Sequence, residues 1–306
     1  MEALLFTMPL VFLLFIVEQI ASRSRNFSFL EFMSNIVNGL GTLVSDLFFL
    51  PALSGLYLVI ESNHFYQVPQ NLLTAFGLLV MLDFLWYGYH RLAHKLNFLW
   101  ALHEVHHQAE YFNISVGLRD SWLHRLGTWT IYLIPALLGV PLSFYLSVLG
   151  VHIGYSYLTH TNFVKKTPKW FSAVFVTPSF HRAHHGKNPE YIDKNFGLMF
   201  SFWDRLFGTC VDEEAEVIFG VNRALKTFNP LKNCAHHWLR FNKGETFFIY
   251  PGLVKGNRFT FMILIFIFAM VTLFLAMISP LIVKIIFASV TFLFLSIVGD
   301  LADIRK

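Results

Sequence analysis

Charged residues are scarce in this chain of 306 residues. Only 14% of the residues are Asp, Glu, Lys or Arg, whereas roughly a quarter are charged in soluble domains. Hydrophobic residues make up 55% of the chain, 35 residues are Phe, and the mean hydropathy is +0.54. A composition this poor in charge argues against a soluble globular domain and favours an integral membrane protein.

Cysteine is also nearly absent. Cys210 and Cys234 are the only two in the sequence, and both lie in a polar, lysine-rich region. No disulfide framework is predicted, and reduced thiols that face the cytosol are expected. A basic segment is missing ahead of the first apolar stretch, so we expect that stretch to be a retained span and not a cleaved signal peptide.

Long apolar stretches alternate with polar ones. The predicted spans are residues 3–20, 35–60 and 72–89, a tight helical hairpin over 128–157, and a final hairpin made of 259–278 and 280–298. The predicted fold is therefore an all-α integral membrane protein with about six to seven transmembrane or re-entrant helices and a cytoplasmic, histidine-rich helical cap.

The basic residues predict the orientation of this arrangement. With about seven spans and the N-terminus outside, every Lys and Arg except Lys284 lies in an inner loop or in the C-terminal tail. The long polar regions that would face the cytosol are residues 90–125 and 165–258.

Three histidine clusters occur on this predicted inner face. They have the spacings H-x3-H, H-x2-HH and H-x2-HH and consist of His90 and His94, of His103, His106 and His107, and of His181, His184 and His185. Residues three and four apart share a helix face, so each cluster can direct its imidazoles at one point. Eight clustered histidines are more than one tetrahedral ion can bind, which predicts a site for two metal ions.

Three further residues are candidates for the same site. His152 and His160 belong to the inner-leaflet half of the returning hairpin, where a buried polar group is costly and tends to be functional, so both are candidate ligands. Asp83 lies seven residues before His90 on the same helix face. Its carboxylate is expected either to accept a proton from the second nitrogen of a ligand or to pair with a buried tyrosine or tryptophan. The other histidines are expected to be ordinary polar residues: His64, His124, His236 and His237.

A competing pattern overlaps the second cluster. Residues 103–107 also satisfy H-E-x-x-H, the helix signature of zinc metalloproteases, in which Glu104 would be the general base. Such a membrane-embedded protease needs one zinc ion and three ligands, which would leave His90, His94, His106 and at least two histidines of the third cluster without a role. We therefore keep it as the alternative to the two-metal site.

The sequence resembles the fatty acid hydroxylase/sterol desaturase superfamily of integral membrane di-iron enzymes. The resemblance covers residues 82–209, and within the superfamily it is greatest to the branch of alkylglycerol monooxygenase and its bacterial relatives. Asp120, and His152 with Gly154-Tyr155, depart from the pattern of that branch. Besides the three clusters, the following segments carry the resemblance: 97–100, 111–113, Leu118-Arg119, His160-Thr161, 177–179, Asp193-Lys194-Asn195 and 203–209.

The resemblance implies a lipid hydroxylase or desaturase. It implies two iron ions at the clustered histidines, O2 as oxidant, a membrane lipid as substrate and no nucleic-acid partner. The electron donor it implies is external: tetrahydrobiopterin in the alkylglycerol branch, cytochrome b5 or ferredoxin in others. It also implies a location in the bacterial inner membrane or the endoplasmic reticulum, with the metal site on the cytoplasmic side. The expected divisions are N-terminal spans (1–81), a catalytic domain (82–209), a cytoplasmic segment (210–258) and a C-terminal hairpin (259–306).

Overall fold

The computed structural model describes residues 13–18, 28–64, 66–222, 227–240 and 281–304. This part of the chain is mostly helical and contains no β-strand, only isolated bridges between Phe175 and Phe200 and between Gly186 and Phe219. Residues 13–18 are helical, and a 3₁₀ turn covers Ile114–Leu118. The helices are α1 (Phe29–Ser62), α2 (Leu72–Lys95), α3 (Asn97–His107), α4 (Arg125–Leu137), α5 (Leu142–Thr159), α6 (Lys169–Val174), α7 (Pro178–His184), α8 (Phe202–Leu206), α9 (Pro230–Arg240) and α10 (Leu281–Ile304).

Helices α1 and α2 are long and apolar enough to cross a membrane. Each begins at a polar cap that satisfies backbone N–H groups left free in the first turn. The Ser28 hydroxyl accepts from the backbone N–H of Glu31, and Asn71 forms a reciprocal capping box with Thr74. Most of the predicted first span and all of residues 259–278 lie outside the described residues.

The predicted hairpin over residues 128–157 is present as α4 and α5. The turn between them contains Gly139 at a φ of +73°, where a side chain would be strained and a Cβ would lie 2.4 Å from the Tyr66 carbonyl oxygen. The Tyr57 hydroxyl of α1 donates to the Val140 carbonyl at 2.7 Å. The tip of the hairpin is therefore fixed against the end of α1.

One apolar core joins α1 to the loop that follows the 3₁₀ turn. It includes Phe32, Ile36 and Leu40 of α1 together with Trp122 and with Leu295 of α10. The Trp122 ring lies so close to α1 that a Cβ on Gly41 would be 1.8 Å from its Nε1. Only glycine allows this approach, and the indole N–H donates to the Asn38 carbonyl at 3.2 Å.

A second apolar core holds α2 against the hairpin. Leu82 of α2, Ile131 of α4 and Tyr145 of α5 are buried in it. Helix α3 packs against α2, and α9 packs against α3 in turn. This packing places the C-terminal end of α2 next to α3, α7 and the end of α5, where the histidines lie.

Candidate metal centre

The first histidine cluster lies in the last turns of α2 and the second lies on α3. Between these two helices the extended backbone of Leu96 breaks the helical path, so that α3 packs back against α2. The third cluster occupies α7, which begins at Pro178 with Thr177 as its cap. His160 follows directly on the end of α5. Three helices and the residue that follows a fourth therefore supply imidazoles to one region.

The structure brings nine histidines together in two groups. Within each group the ring nitrogens that face one another lie within 4.8 Å, and nearly all the side chains are buried. The first group, group 1, consists of His90, His94, His103, His107 and His184, and the second, group 2, of His106, His160, His181 and His185.

Helices α3 and α7 each contribute to both groups. On α3, His103 and His107 (i and i+4) belong to group 1, and His106 (i+3) belongs to group 2. On α7 the assignment is reversed, because the i and i+4 residues belong to group 2 and the i+3 residue, His184, to group 1. Residues i+3 and i+4 are about 100° apart around a helix, so one H-x2-HH cluster can serve two adjacent points.

Backbone carbonyls fix the orientation of four of these rings. The Nδ1–H groups of His90, His106, His160 and His184 donate to the carbonyls of Phe196, Arg119, Ser156 and Lys194 at 2.7–2.9 Å. With the proton on Nδ1, each Nε2 presents a lone pair to the centre. His94 Nδ1 lies 3.5 Å from the Asp193 carboxylate, and this contact lowers the pKa of Asp193.

Several ring nitrogens of group 2 face one another at short distances, and in one pair both of the facing nitrogens carry lone pairs. His106 Nε2 and His160 Nε2 are 3.2 Å apart, although both rings carry their proton on Nδ1. His181 Nε2 lies 2.8 Å from His160 Nε2 and 3.2 Å from His185 Nε2. Metal–nitrogen bonds of about 2.0–2.1 Å place neighbouring ligand atoms about 3 Å apart. The donor set therefore fits a metal ion in each group.

Group 1 has the same geometry. His103 Nε2 lies 2.9 Å from His90 Nε2 and 3.0 Å from His107 Nε2. The Nε2 atoms of His94 and His184 are buried without a hydrogen-bond partner. Buried polar atoms are rarely left unpaired in folded proteins, and these two belong to the same group of ring nitrogens.

Burial keeps these imidazoles neutral. It lowers the pKa of His106, and it lowers the pKa values of His103, His107, His160, His181, His184 and His185 to well below the usual range for histidine; neighbouring imidazoles add to the effect. A histidine must be deprotonated to bind a metal, so burial favours the ligating form.

His152 does not join either group, contrary to the expectation that it is a ligand. Its Nε2 lies 2.8 Å from the Asp83 carboxylate, and both side chains are fully buried. Asp83 was expected to accept from a ligand's second nitrogen or from a buried aromatic residue. It accepts from His152, from Trp203 Nε1 at 3.1 Å, and from the backbone N–H groups of Met199 and Phe200. Asp83 lies two helical turns before His90 in α2, and at that level its carboxylate contacts the loop that contains Met199 and Phe200.

That loop, residues 193–201, was not predicted to belong to the site from residue chemistry alone. It supplies the Lys194 and Phe196 carbonyls that hold His184 and His90. Asp193 and Asn195, on either side of Lys194, adopt positive φ values of 57° and 59°, a conformation that Asp and Asn tolerate better than most residues. Asp204 accepts from the backbone N–H groups of Phe196 and Gly197, both at 2.7 Å.

Glu104 points away from both groups. Its carboxylate lies 3.5 Å from Nδ1 of His236 on α9, and both residues are buried. His236 was expected to be an ordinary polar residue, and its partner could not be found from sequence because the two residues are far apart in the chain. The side chain of His237 lies outside the described residues.

Comparisons with known proteins agree with the family resemblance. Residues 75–209 match the fatty acid hydroxylase family. The chain is 36% identical over 204 residues to alkylglycerol monooxygenase of Danio rerio, covering 65% of this chain and 44% of that protein. It is 33% identical over 230 residues to the human alkylglycerol monooxygenase, covering 74% of this chain and 50% of that protein.

A bacterial relative is the ornithine lipid hydroxylase of Rhizobium tropici, which is 34% identical over 151 residues, covering 48% of this chain and 45% of that protein. The chain spans half the length or less of these relatives. No solved structure matches it.

Proposed function

Residues 75–209 of this chain belong to the fatty acid hydroxylase family, and from this premise we propose that the protein is an integral membrane oxygenase that hydroxylates an unactivated C–H bond of a lipid. The observation that carries the proposal is the pair of Nε2 lone pairs on His106 and His160, 3.2 Å apart. Together with the five-histidine group beside them, they provide for two metal ions, which we propose to be iron.

The residues of the site perform three tasks in this proposal. The nine histidines would hold the two ions through neutral nitrogens, which leave the full positive charge on the metals. The carbonyls of Phe196, Lys194, Arg119 and Ser156 fix the imidazole rings so that the donor atoms need not reorganise. Iron bound there would supply the activation of O2 and the removal of hydrogen from carbon.

The lipid would reach the site through apolar helices. A cavity of about 170 Å³ borders both groups and is lined by Trp86, Leu43, Leu118 and Ile153 among others. Helices α1 and α2, which contribute part of this lining, are the candidate membrane spans. A hydrocarbon chain can therefore enter from the membrane without leaving an apolar environment.

The remaining partners follow from the same proposal. O2 is the oxidant, and a separate donor (tetrahydrobiopterin, cytochrome b5 or ferredoxin) supplies the electrons. Desaturation would begin with the same hydrogen abstraction as hydroxylation. We place the metal centre on the cytoplasmic side of the bacterial inner membrane or of the endoplasmic reticulum, because nearly all basic residues fall on that side.

The position of Glu104 disfavours the zinc protease. A general base must lie within hydrogen-bond reach of the water that it activates. Here the Glu104 carboxylate contacts His236 behind α3, while His103 and His107 belong to a group of five histidines and not of three. A protease with a single zinc ion would also leave the four histidines of group 2 without a metal to bind.

The experiment that tests the proposal supplies isotopically heavy O2 to membranes containing the protein and analyses their lipids by mass spectrometry. The wild-type protein should add one heavy oxygen atom to a lipid, and His106→Ala should abolish this product. Glu104→Gln should retain most of the activity, because Glu104 does not face the metal groups.

Two results would contradict the oxygenase. One is the absence of heavy oxygen from every lipid class with both metals bound and a reductant present. The other is a peptide-cleaving activity that Glu104→Gln eliminates and that His106→Ala leaves intact, which would establish the protease instead.

A further inference from the structure

Glu18 is a charged residue in an apolar stretch of the chain. It is the only Asp, Glu, Lys or Arg in the predicted first span, residues 3–20, and it precedes the segment that matches the fatty acid hydroxylase family. The structure buries it, with 5% of the residue exposed, at the end of the helical segment 13–18. A buried carboxylate is costly unless donors surround it, and one in a membrane span tends to be functional.

The carboxylate of Glu18 joins two segments that are far from it in the sequence. Its Oε1 accepts from the Thr161 hydroxyl at 2.5 Å and from the backbone N–H of Asn162 at 2.8 Å. Its Oε2 accepts from the backbone N–H of Ile114 at 2.9 Å. Hydrogen bonds to a carboxylate are stronger than those between neutral groups, so these three contacts fix both segments relative to each other.

The first of these segments carries a histidine of group 2. His160 is the residue before Thr161, and it belongs to group 2. The Arg182 guanidinium of α7 donates to the Thr161 carbonyl at 2.9 Å, and α7 supplies two more histidines of the same group. Three of the four histidines of group 2 are therefore part of residues 160–162 or held against them.

The second segment packs against the same imidazoles. Ile114 begins the 3₁₀ turn, and two residues before it the ring of Phe112 lies 5.8 Å from the His160 ring, measured between centroids. The Phe112 carbonyl accepts from the Asn162 side chain at 2.6 Å, which joins the two segments directly. Glu18 therefore bonds to both of the segments that meet beside the His160 ring.

Group 1 is held in a different way. Four of its five histidines lie on α2 and α3. The fifth, His184 of α7, donates to the Lys194 carbonyl, and His90 donates to the Phe196 carbonyl of the same loop. The contacts of Glu18 thus act on group 2 more than on group 1, whereas a general contribution to folding would act on both.

We propose that Glu18 is a positioning residue for the metal ion of group 2, so that the metal centre depends on a helical segment outside the matched family domain. The inference rests on the proposed function, because it takes each group of histidines to hold one metal ion. Glu18 does not contact the ion itself. It acts through Thr161, Asn162 and Ile114, which fix the backbone on either side of the His160 ring.

The test titrates zinc into the metal-free, full-length protein in detergent and measures the affinity of each ion. The wild-type protein should bind two ions per chain. Glu18→Ala leaves three buried donors unpaired next to His160. It should weaken the binding of one ion by about 10–100-fold and leave the other ion unchanged.

Two double variants identify the ion that is weakened. In a His94→Ala background the ion that remains reports on group 2, and adding Glu18→Ala should lower its affinity by about 10–100-fold. In a His160→Ala background the remaining ion reports on group 1, and adding Glu18→Ala should leave its affinity unchanged. This difference between the groups separates positioning from a loss of folding.

Two milder variants keep the test decisive if Glu18→Ala does not fold. Glu18→Gln preserves the shape and one acceptor oxygen, so it should recover part of the affinity of group 2. Thr161→Val removes only one donor to Glu18 and should weaken the same ion by a smaller factor. Circular dichroism of the metal-free variants should match that of the wild type.

The matched control is Glu61→Ala. Glu61 also accepts from a backbone N–H, that of Leu142 at 3.1 Å. Leu142 begins α5, whereas His160 follows the other end of this helix. The control should therefore leave the affinities of both groups unchanged.

Two ions bound with wild-type affinity in both Glu18→Ala and Thr161→Val would overturn the proposal, as would a loss shared equally by the two groups. These outcomes would leave the proposed function intact. A selective loss from group 2, with no oxygen incorporated into any lipid by the wild-type protein, would instead overturn the oxygenase and support the role of Glu18.

Discussion

At the residue scale, the proposed two-ion site assigns each histidine of the two groups to one ion. His94 and His184 serve group 1, while His160 and His185 serve group 2. The two groups do not share a histidine, so the loss of one ligand should weaken one ion more than the other. This expectation is more specific than a prediction that all nine histidines are needed for metal binding.

We therefore predict selective metal loss from single substitutions. His94→Ala should lower the content from about two ions per chain to about one, and His160→Ala should do the same by emptying the other group. The double variant should bind close to none. Elemental analysis for iron and zinc on the purified protein measures this, because zinc also favours imidazole.

The matched control is His64→Ala, which removes a histidine outside both groups and should keep both ions. His152→Ala also tests the site, because His152 contacts Asp83 and not the groups. A loss of one whole ion in His152→Ala, with His160→Ala unaffected, would show that the grouping is incorrect.

At the scale of elements, the loop of residues 193–201 orients two histidines that belong to other segments. Asp204 holds the loop from one side through the Phe196 and Gly197 N–H groups and also accepts from the Thr209 hydroxyl at 2.6 Å. Asp83 holds it from the other side through the Met199 and Phe200 N–H groups and also accepts from Trp203 of α8. Both carboxylates are completely buried.

Substituting Asp204 should therefore weaken metal binding without removing a ligand. Asp204→Ala leaves the buried N–H groups of Phe196 and Gly197 unpaired, which costs about 1–3 kcal/mol for each N–H. It also releases the Phe196 carbonyl, which orients His90. We expect the metal affinity of group 1 to fall by about 10–100-fold. Titration of the metal-free protein with metal, monitored for the two groups separately, measures the change.

Asp204→Asn provides the comparison, because it keeps the shape of the side chain and one acceptor oxygen. Its affinity should lie between those of the wild type and Asp204→Ala. Equal loss from groups 1 and 2 would indicate general unfolding and would argue against a positioning role for this loop.

At the scale of the whole molecule, the orientation in the membrane and the location of the site depend on each other. The histidines, Asp204 and Cys210 lie close together in sequence or in space, so they must be on the same side of the membrane. Cys234 is less suitable as a reporter, because it is packed near Asn38 of α1 and burial raises the pKa of its thiol to about 12.

Cys210 should be inaccessible from outside the cell. A membrane-impermeant thiol reagent should leave it unlabelled in intact cells and label it after permeabilisation, since Cys210 is a free, partly exposed cysteine. Cys210→Ser gives the background from Cys234 and should reduce the labelling to a low level. Efficient labelling in intact cells would reverse both the orientation and the side of the metal centre.

The sequence by itself determined which histidines were candidates for the site. The eight clustered histidines were identified from spacing, because residues three and four apart on a helix share a face whatever the helix packs against. His160 was a candidate for another reason, its place at membrane depth on the returning hairpin, and the same reason also selected His152, which joins neither group. The apolar composition was likewise visible, and so was the hairpin over residues 128–157, which depends on the local order of apolar and polar residues. The helices α1, α2, α4 and α5 follow that order closely.

Only the tertiary structure decided how the histidines divide and what holds them. The spacing of H-x2-HH does not say which histidine goes to which group, because that depends on the angle at which α3 and α7 pack. The carbonyls of Phe196 and Lys194, the partner of His152, and the contact of Glu104 with His236 are all long-range pairings of buried polar groups. Such pairings depend on which segments meet in space, and this cannot be read from a local pattern of residues.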